Sequence, residues 1–96
     1  MTPTEYNKLI AERVMGWEYT ESFDPYHDER DCMRALEKMR EKGWNITWES
    51  TPDHPEVVQL WKYTDAPFTT DPVDGTGPTF CAAACEAMRR AVEEDQ

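Results

Sequence analysis

Two segments of the chain end an amphipathic helical pattern in the same way, with a glycine followed by a tryptophan: Ile10–Trp17 (IAERVMGW) and Ala35–Trp44 (ALEKMREKGW). Glycine supplies the left-handed backbone that stops a helix, and the residue after it can fold back as the apolar contact of the cap. Two helices are thereby bounded at their C-terminal ends before any other feature is read.

The first helix opens at Thr2, Pro3 and Glu5, an N-cap, a proline at the first helical position and the acid of a capping box. Tyr6, Leu9, Ile10, Arg13 and Val14 then recur at three and four residues, predicting a helix over about 3–15 with this stripe inward. Asp24 and Pro25 repeat the cap-then-proline signal and predict a second helix over about 25–42, with Cys32, Met33, Ala35, Leu36 and Met39 inward. Its opposite face pairs Glu with Lys and Arg at helical spacings, as on a solvated surface.

From Trp44 the period changes to two. Trp44, Ile46 and Trp48 alternate with Asn45, Thr47 and Glu49, predicting a strand over about 44–50. STPDHP at 50–55 is a turn, and EVVQLWKY at 56–63 is the partner strand of an antiparallel hairpin. Alternation places Val58, Leu60 and Lys62 on one face and Val57, Gln59, Trp61 and Tyr63 on the other. Residues 64–78 are rich in Pro, Thr, Asp and Gly and read as a short strand near 67–70 followed by a mobile tip around Asp71–Gly77. The last helix, over about 79–93, is capped by Thr79 and directs Phe80, Cys81, Ala84, Cys85, Met88, Ala91 and Val92 inward. The order is α-α-β-β-(β)-α in a single domain spanning 1–96, an α+β protein built as a small three-layer α/β/α sandwich on an antiparallel sheet.

Charge narrows the function. The chain holds 20 acidic and 10 basic side chains for a formal net charge of −10, and segment 28–42 is balanced at five of each. The acid excess therefore sits at the termini and in the loops. Such a chain repels nucleic acid and anionic lipid and is drawn to basic surfaces. No apolar run reaches the ~20 residues of a membrane span, and the N-terminus lacks the pattern of a signal peptide.

The three cysteines, Cys32, Cys81 and Cys85, all occupy apolar helix positions and read as buried free thiols, which suit a reducing cytosol. Cys81 and Cys85 lack a companion His or Cys pair, so no metal site is expected. His27, Asp28, Glu29 and Asp31 superficially resemble an acid–base cluster, but acids at a helix N-terminus complement the dipole. Thr69, Thr70, Asp71, Asp74, Gly75, Thr76 and Gly77 precede a helix as a phosphate-binding loop would, yet lack its lysine and carry repelling aspartates. A solvated connection is the favoured reading. No catalytic residue, metal or cofactor is assigned, and no enzyme activity is expected.

One resemblance adds to this reading. LIAERVMGW, the mid-chain MREKGW, the aromatic hairpin and the alanine-rich FCAAACEAMRRAV together resemble the phage ABA sandwich domain, a family of small phage and prophage proteins, over residues 6–93. The resemblance implies a compact α/β sandwich expressed in a bacterial host cytoplasm, and it supplies no catalytic residues. With the charge, it leads to the expectation of an anti-defence protein of the anti-CRISPR type. Such a protein would block the basic nucleic-acid-binding surface of a CRISPR effector or another host defence protein, through Asp71, Asp74, Glu93 and Glu94 with Trp61 and Tyr63 as aromatic anchors. An alternative is an oligomeric sponge for a nucleotide immune signal, with Trp17 for stacking and Arg13, Lys62 and Arg89 for phosphate. A further alternative is a phage accessory protein without a defence role. Homodimerisation is expected through a strand edge or the alanine-rich helix if the aromatic faces are not covered within one chain.

Overall fold

In the computed structural model, which describes residues 1–50, 52–53, 55–62 and 72–94 (backbone alone at Glu94), the first helix, α1 (Pro3–Leu9), runs directly into a π-helical stretch, Ile10–Met15. Thr2 and Glu5 form the expected reciprocal capping box. Gly16 closes the helix at φ +73°, with the Trp17 amide donating to the Ala11 carbonyl at 2.8 Å. The wider π turn buries Asn7, Ile10, Ala11 and Val14. It leaves Arg13 exposed, not on the inward stripe as expected, with its guanidinium donating to the Val92 carbonyl at 3.2 Å.

Helix α2 spans Glu29–Glu41 and starts four residues later than the Asp24–Pro25 signal predicts. The Asp24 carboxylate is committed elsewhere, accepting from the Asn7 amide at 2.8 Å and from the His27 backbone at 3.2 Å. Residues 24–28 form one isolated turn. Asp28, in an extended conformation, then caps α2 by accepting from the Arg30 amide. Asp31 is buried and receives the Asp24 amide at 3.0 Å, so the acids of this region hold the turn against the helix. The buried stripe is Asp31, Cys32, Ala35, Leu36 and Met39, whereas Met33 is 54 % exposed. Gly43, at φ +98°, ends α2, and the next residue, Trp44, folds into the core.

Strands β1 (Asn45–Glu49) and β2 (Glu56–Trp61) form the expected antiparallel hairpin, with Thr47 opposite Gln59. The third strand, β3, is Val73–Gly77 and pairs antiparallel with β2. This replaces the expected mobile tip; the strand expected near 67–70 lies outside the described residues. The sheet order is β1-β2-β3.

Helix α3 (Phe80–Glu94) follows, capped as expected by Thr79, whose hydroxyl accepts from the Ala82 amide at 3.1 Å. It packs on β2 and β3, and on its other side against α1, the π stretch and α2. That position explains its composition. Cys81 through Cys85, Ala87, Met88 and Ala91 are all buried, because the helix is packed on two sides and leaves to solvent only the stripe that carries Arg90 and Glu93. Gly75 and Gly77 sit on the inward face of β3, where a Cβ at Gly75 would lie 2.2 Å from the Ala83 carbonyl oxygen and 2.2 Å from the Ala87 amide nitrogen. Glycine on the strand and alanine on the helix thus permit one close contact. The protein is a small mixed α+β sandwich, as the sequence predicts. Two helices meet the sheet, α3 on β2 and β3 and α2 beside β1, while α1 and the π stretch pack against α3, and the outer sheet face has no described helix on it.

Candidate functional site

The pairing registers assign every described strand residue to a face. Ile46, Trp48, Glu56, Val58, Leu60, Val73, Gly75 and Gly77 are on the helix side, while Asn45, Thr47, Glu49, Val57, Gln59, Trp61, Asp74 and Thr76 point away. On the outer face Thr47, Glu49, Asp74 and Thr76 are exposed, and Val57, Gln59 and Trp61 are half-buried. The Trp61 indole is held by its Nε1–H donating to the Thr47 hydroxyl at 3.3 Å, and the Asn45 side chain donates to the Trp61 carbonyl at 3.4 Å. A tryptophan fixed to a strand in this way loses little rotamer freedom on binding. Glu49 and Asp74 are carboxylates on this face, and no Lys or Arg is on it among the described residues.

A groove of about 420 Å³ runs along the β1 edge of the molecule, between α2, the start of α3 and β1; Met33, Leu36, Ile46, Trp48, Phe80 and Trp61 supply its apolar lining, so Trp61 borders both the groove and the outer face. Trp48 is 55 % exposed. Its ring lies against Phe80 at a centroid distance of 4.8 Å and its Nε1–H donates to Glu56 at 2.7 Å. Glu37 and Arg40 stand at the groove as an exposed ion pair at 3.5 Å.

The residues expected to bind a partner are divided by the fold. Trp61 and Asp74 share the outer sheet face. Glu93 lies on the last turns of α3, which packs beneath the other face, and is bonded to Arg89 at 2.7 Å. Tyr63, Asp71 and the Glu94 side chain lie outside the described residues. The sequence-based set overlooks Thr47 and Glu49. Strand alternation already groups them with Asn45, but which face of β2 they join depends on the hairpin register.

The residues expected to hold a nucleotide are not brought together. Trp17 is 41 % exposed, edge-on to Phe23 and beneath the Arg34 guanidinium at 5.3 Å. The Lys62 ammonium lies over the Trp44 ring at 4.6 Å, and Arg13 reaches the end of α3. Arg89 is bound to Glu86 through both Nε and Nη2 and to Glu93 through Nη1. Glu86 also accepts from Arg90 and from the Tyr6 hydroxyl. Chiefly because of Arg89, the Glu86 carboxyl is pulled down to about 2. Burial, reinforced by Glu86, pushes the Tyr6 phenol up to about 12. This cluster ties α1 to α3, and its guanidinium is committed within the chain.

The segment Thr69–Gly77, expected to be a solvated connection and not a phosphate-binding loop, is instead strand over Asp74–Gly77, where the glycines serve packing and the backbone belongs to β3; Thr69, Thr70 and Asp71 lie outside the described residues. Cys32, Cys81 and Cys85 are free and buried, and burial is the leading cause that raises all three thiols, which keeps them protonated. The described residues contain no group of three His, Cys, Asp or Glu side chains placed to hold a metal, and none of their helices is long and apolar enough to cross a membrane. Comparison with family models, curated proteins and solved structures finds no significant match.

Proposed function

We propose that this protein acts by binding a basic protein surface, and that its role is that of a phage inhibitor of bacterial antiviral defence, of the anti-CRISPR type, working in the host cytoplasm. The observation that carries the reading is the outer sheet face, where a hydrogen-bonded Trp61 lies diagonal to Asp74, Glu49 stands at the far end of the hairpin opposite Val57, and no cation is present among the described strand residues. A nucleic-acid-binding groove is cationic by necessity. A small body with net charge −10 is steered toward it, and a fixed aromatic at one end of an acidic face, Trp61 at the end of β2, supplies the apolar anchor. The phage setting rests on the resemblance of LIAERVMGW, MREKGW and FCAAACEAMRRAV to the ABA sandwich family.

The test is a competition experiment. Purified CRISPR effector–guide complexes, one single-protein and one multi-subunit, are mixed with labelled target DNA and increasing amounts of this protein, and DNA binding is read by gel shift. The reading expects loss of DNA binding with at least one effector, weakened by salt and at least 10-fold weaker for the Glu49→Lys/Asp74→Lys double variant, on the scale of about 1.4 kcal/mol per tenfold. Inhibition unchanged by the double reversal would remove the outer face from the interface, and unaffected DNA binding with every effector would remove the defence role.

A further inference from the structure

The β1 edge of the sheet carries a second feature, which adjoins the outer face at Trp61. Among the described residues no strand pairs with the outer edge of β1. Beside it lies the apolar groove with exposed Met33 and Trp48. An open edge with apolar side chains next to it is a template for strand addition.

The sequence of β1 indicates which strand fits. Two copies related by a two-fold axis through Thr47, perpendicular to the sheet, pair antiparallel, and each residue then meets its mirror about position 47. Asn45 faces Glu49 of the second copy, Ile46 faces Trp48, and Thr47 faces itself. All five residues of β1 find a compatible partner. The apolar pairs fall on the helix side, where the groove is, and the polar pairs fall on the outer side. No like charges meet, because Glu49 is placed against an amide and not against Glu49 of the other copy. Sliding the register by four residues would set the two Glu49 carboxylates opposite each other, so that slip is disfavoured by charge.

The same axis puts both α2 helices on one side of the combined sheet, with Met33 of each near the seam. Glu37 and Arg40, an exposed i,i+3 pair within one chain, provide one acid and one base per copy that can exchange partners across it. The alanine-rich α3, the other surface expected to dimerise, is buried within the chain. We infer that the groove and the open edge of β1 are the homodimer interface of this protein, forming a continuous six-stranded antiparallel sheet through a β1–β1 seam centred on Thr47. The inference does not depend on the proposed partner of the outer face, although dimerisation would double the acidic surface displayed there.

The test reads mass and register separately. Light scattering across micromolar to submillimolar concentrations should give twice the chain mass of 11.2 kDa, and Trp48→Lys, which brings two ammonium groups to the seam, should return the monomer mass. The Thr47→Cys variant should form an intermolecular disulfide on mild oxidation, because directly opposed residues lie about 4.5–5.5 Å apart at Cβ. Glu49→Cys should not cross-link to itself, and the Asn45→Cys/Glu49→Cys double variant should. Wild-type protein of monomer mass throughout the range overturns the inference and returns the groove to a different protein. A dimer that cross-links at Glu49→Cys but not at Thr47→Cys overturns it as well. If Trp48→Lys fails to fold by circular dichroism, the cysteine pattern decides alone.

Discussion

At the scale of the residue, Glu86 has the most concentrated set of partners. One half-buried carboxylate receives the Tyr6 hydroxyl from α1 and the guanidinium groups of Arg89 and Arg90 on its own helix. Because the folded carboxyl is held near 2 and not near 4.5, folding favours the ionised form. The stability this supplies is complete above the unfolded value and is lost as pH falls from about 4.5 toward about 2. The Tyr6 phenol has the opposite sign of dependence on rising pH. Its folded value is raised from 10.0 to about 12, so its contribution is complete below pH 10 and is lost as pH rises through the folded value. Glu86→Gln should therefore lower stability at neutral pH by about 1–3 kcal/mol and remove part of the acid-side slope in urea midpoints measured from pH 5 to 2. An unchanged slope would show that Glu86 is not linked to folding. The helical spacing of Glu86, Arg89, Arg90 and Glu93 is visible in the sequence. Tyr6 lies 80 positions away, and nothing local indicates that it joins them.

At the scale of the element, β3 and α3 explain each other. VDGTG has little intrinsic strand preference and reads as a loop, since glycine and aspartate are depleted in strands. It becomes a strand because β2 offers an unpaired edge, and because Gly75 and Gly77 let α3 lie almost backbone to backbone against it. Gly75→Ala would drive a methyl group into the Ala83 carbonyl and the Ala87 amide at 2.2 Å, atoms of a helix packed on both sides. The expected loss is about 3 kcal/mol or more. Gly16→Ala meets no atom within 4 Å but must hold φ +73°, for about 1 kcal/mol. Thermal melts followed by circular dichroism separate the two, and equal losses would refute the close-contact account of β3. The hairpin and the helix ends were legible, since period and capping act within one turn. The late start of α2 was not, because Asp24 and Asp28 are both plausible caps and the choice is made by Asn7, far earlier in the chain.

At the scale of the whole molecule, the core lies beneath one face of the sheet, and among the described residues no helix covers the other face and no strand pairs with the β1 edge. The three thiols lie within that core, with Cys81 only 5 % exposed and Cys32 and Cys85 at 0 %. Native protein should therefore not react with Ellman's reagent, and three equivalents should react once urea unfolds the chain. Rapid modification under native conditions would contradict the packing of α2 against α3. Among the described residues of the expected acidic docking set, Trp61 and Asp74 share one face and Glu93 does not, because charge along a chain says nothing about which side of a sheet each residue reaches. The sequence by itself determined the elements whose causes are local: the Thr2 capping box, the ends of two helices at Gly16 and Gly43, and the two-residue period of the hairpin. Only the tertiary structure decided that a glycine-rich segment is a strand, that Tyr6 meets Glu86, and that Glu49, Trp61 and Asp74 share the sheet face away from the described helices. Those outcomes depend on registers and close contacts between distant segments, which are set by packing and not by neighbours in the chain.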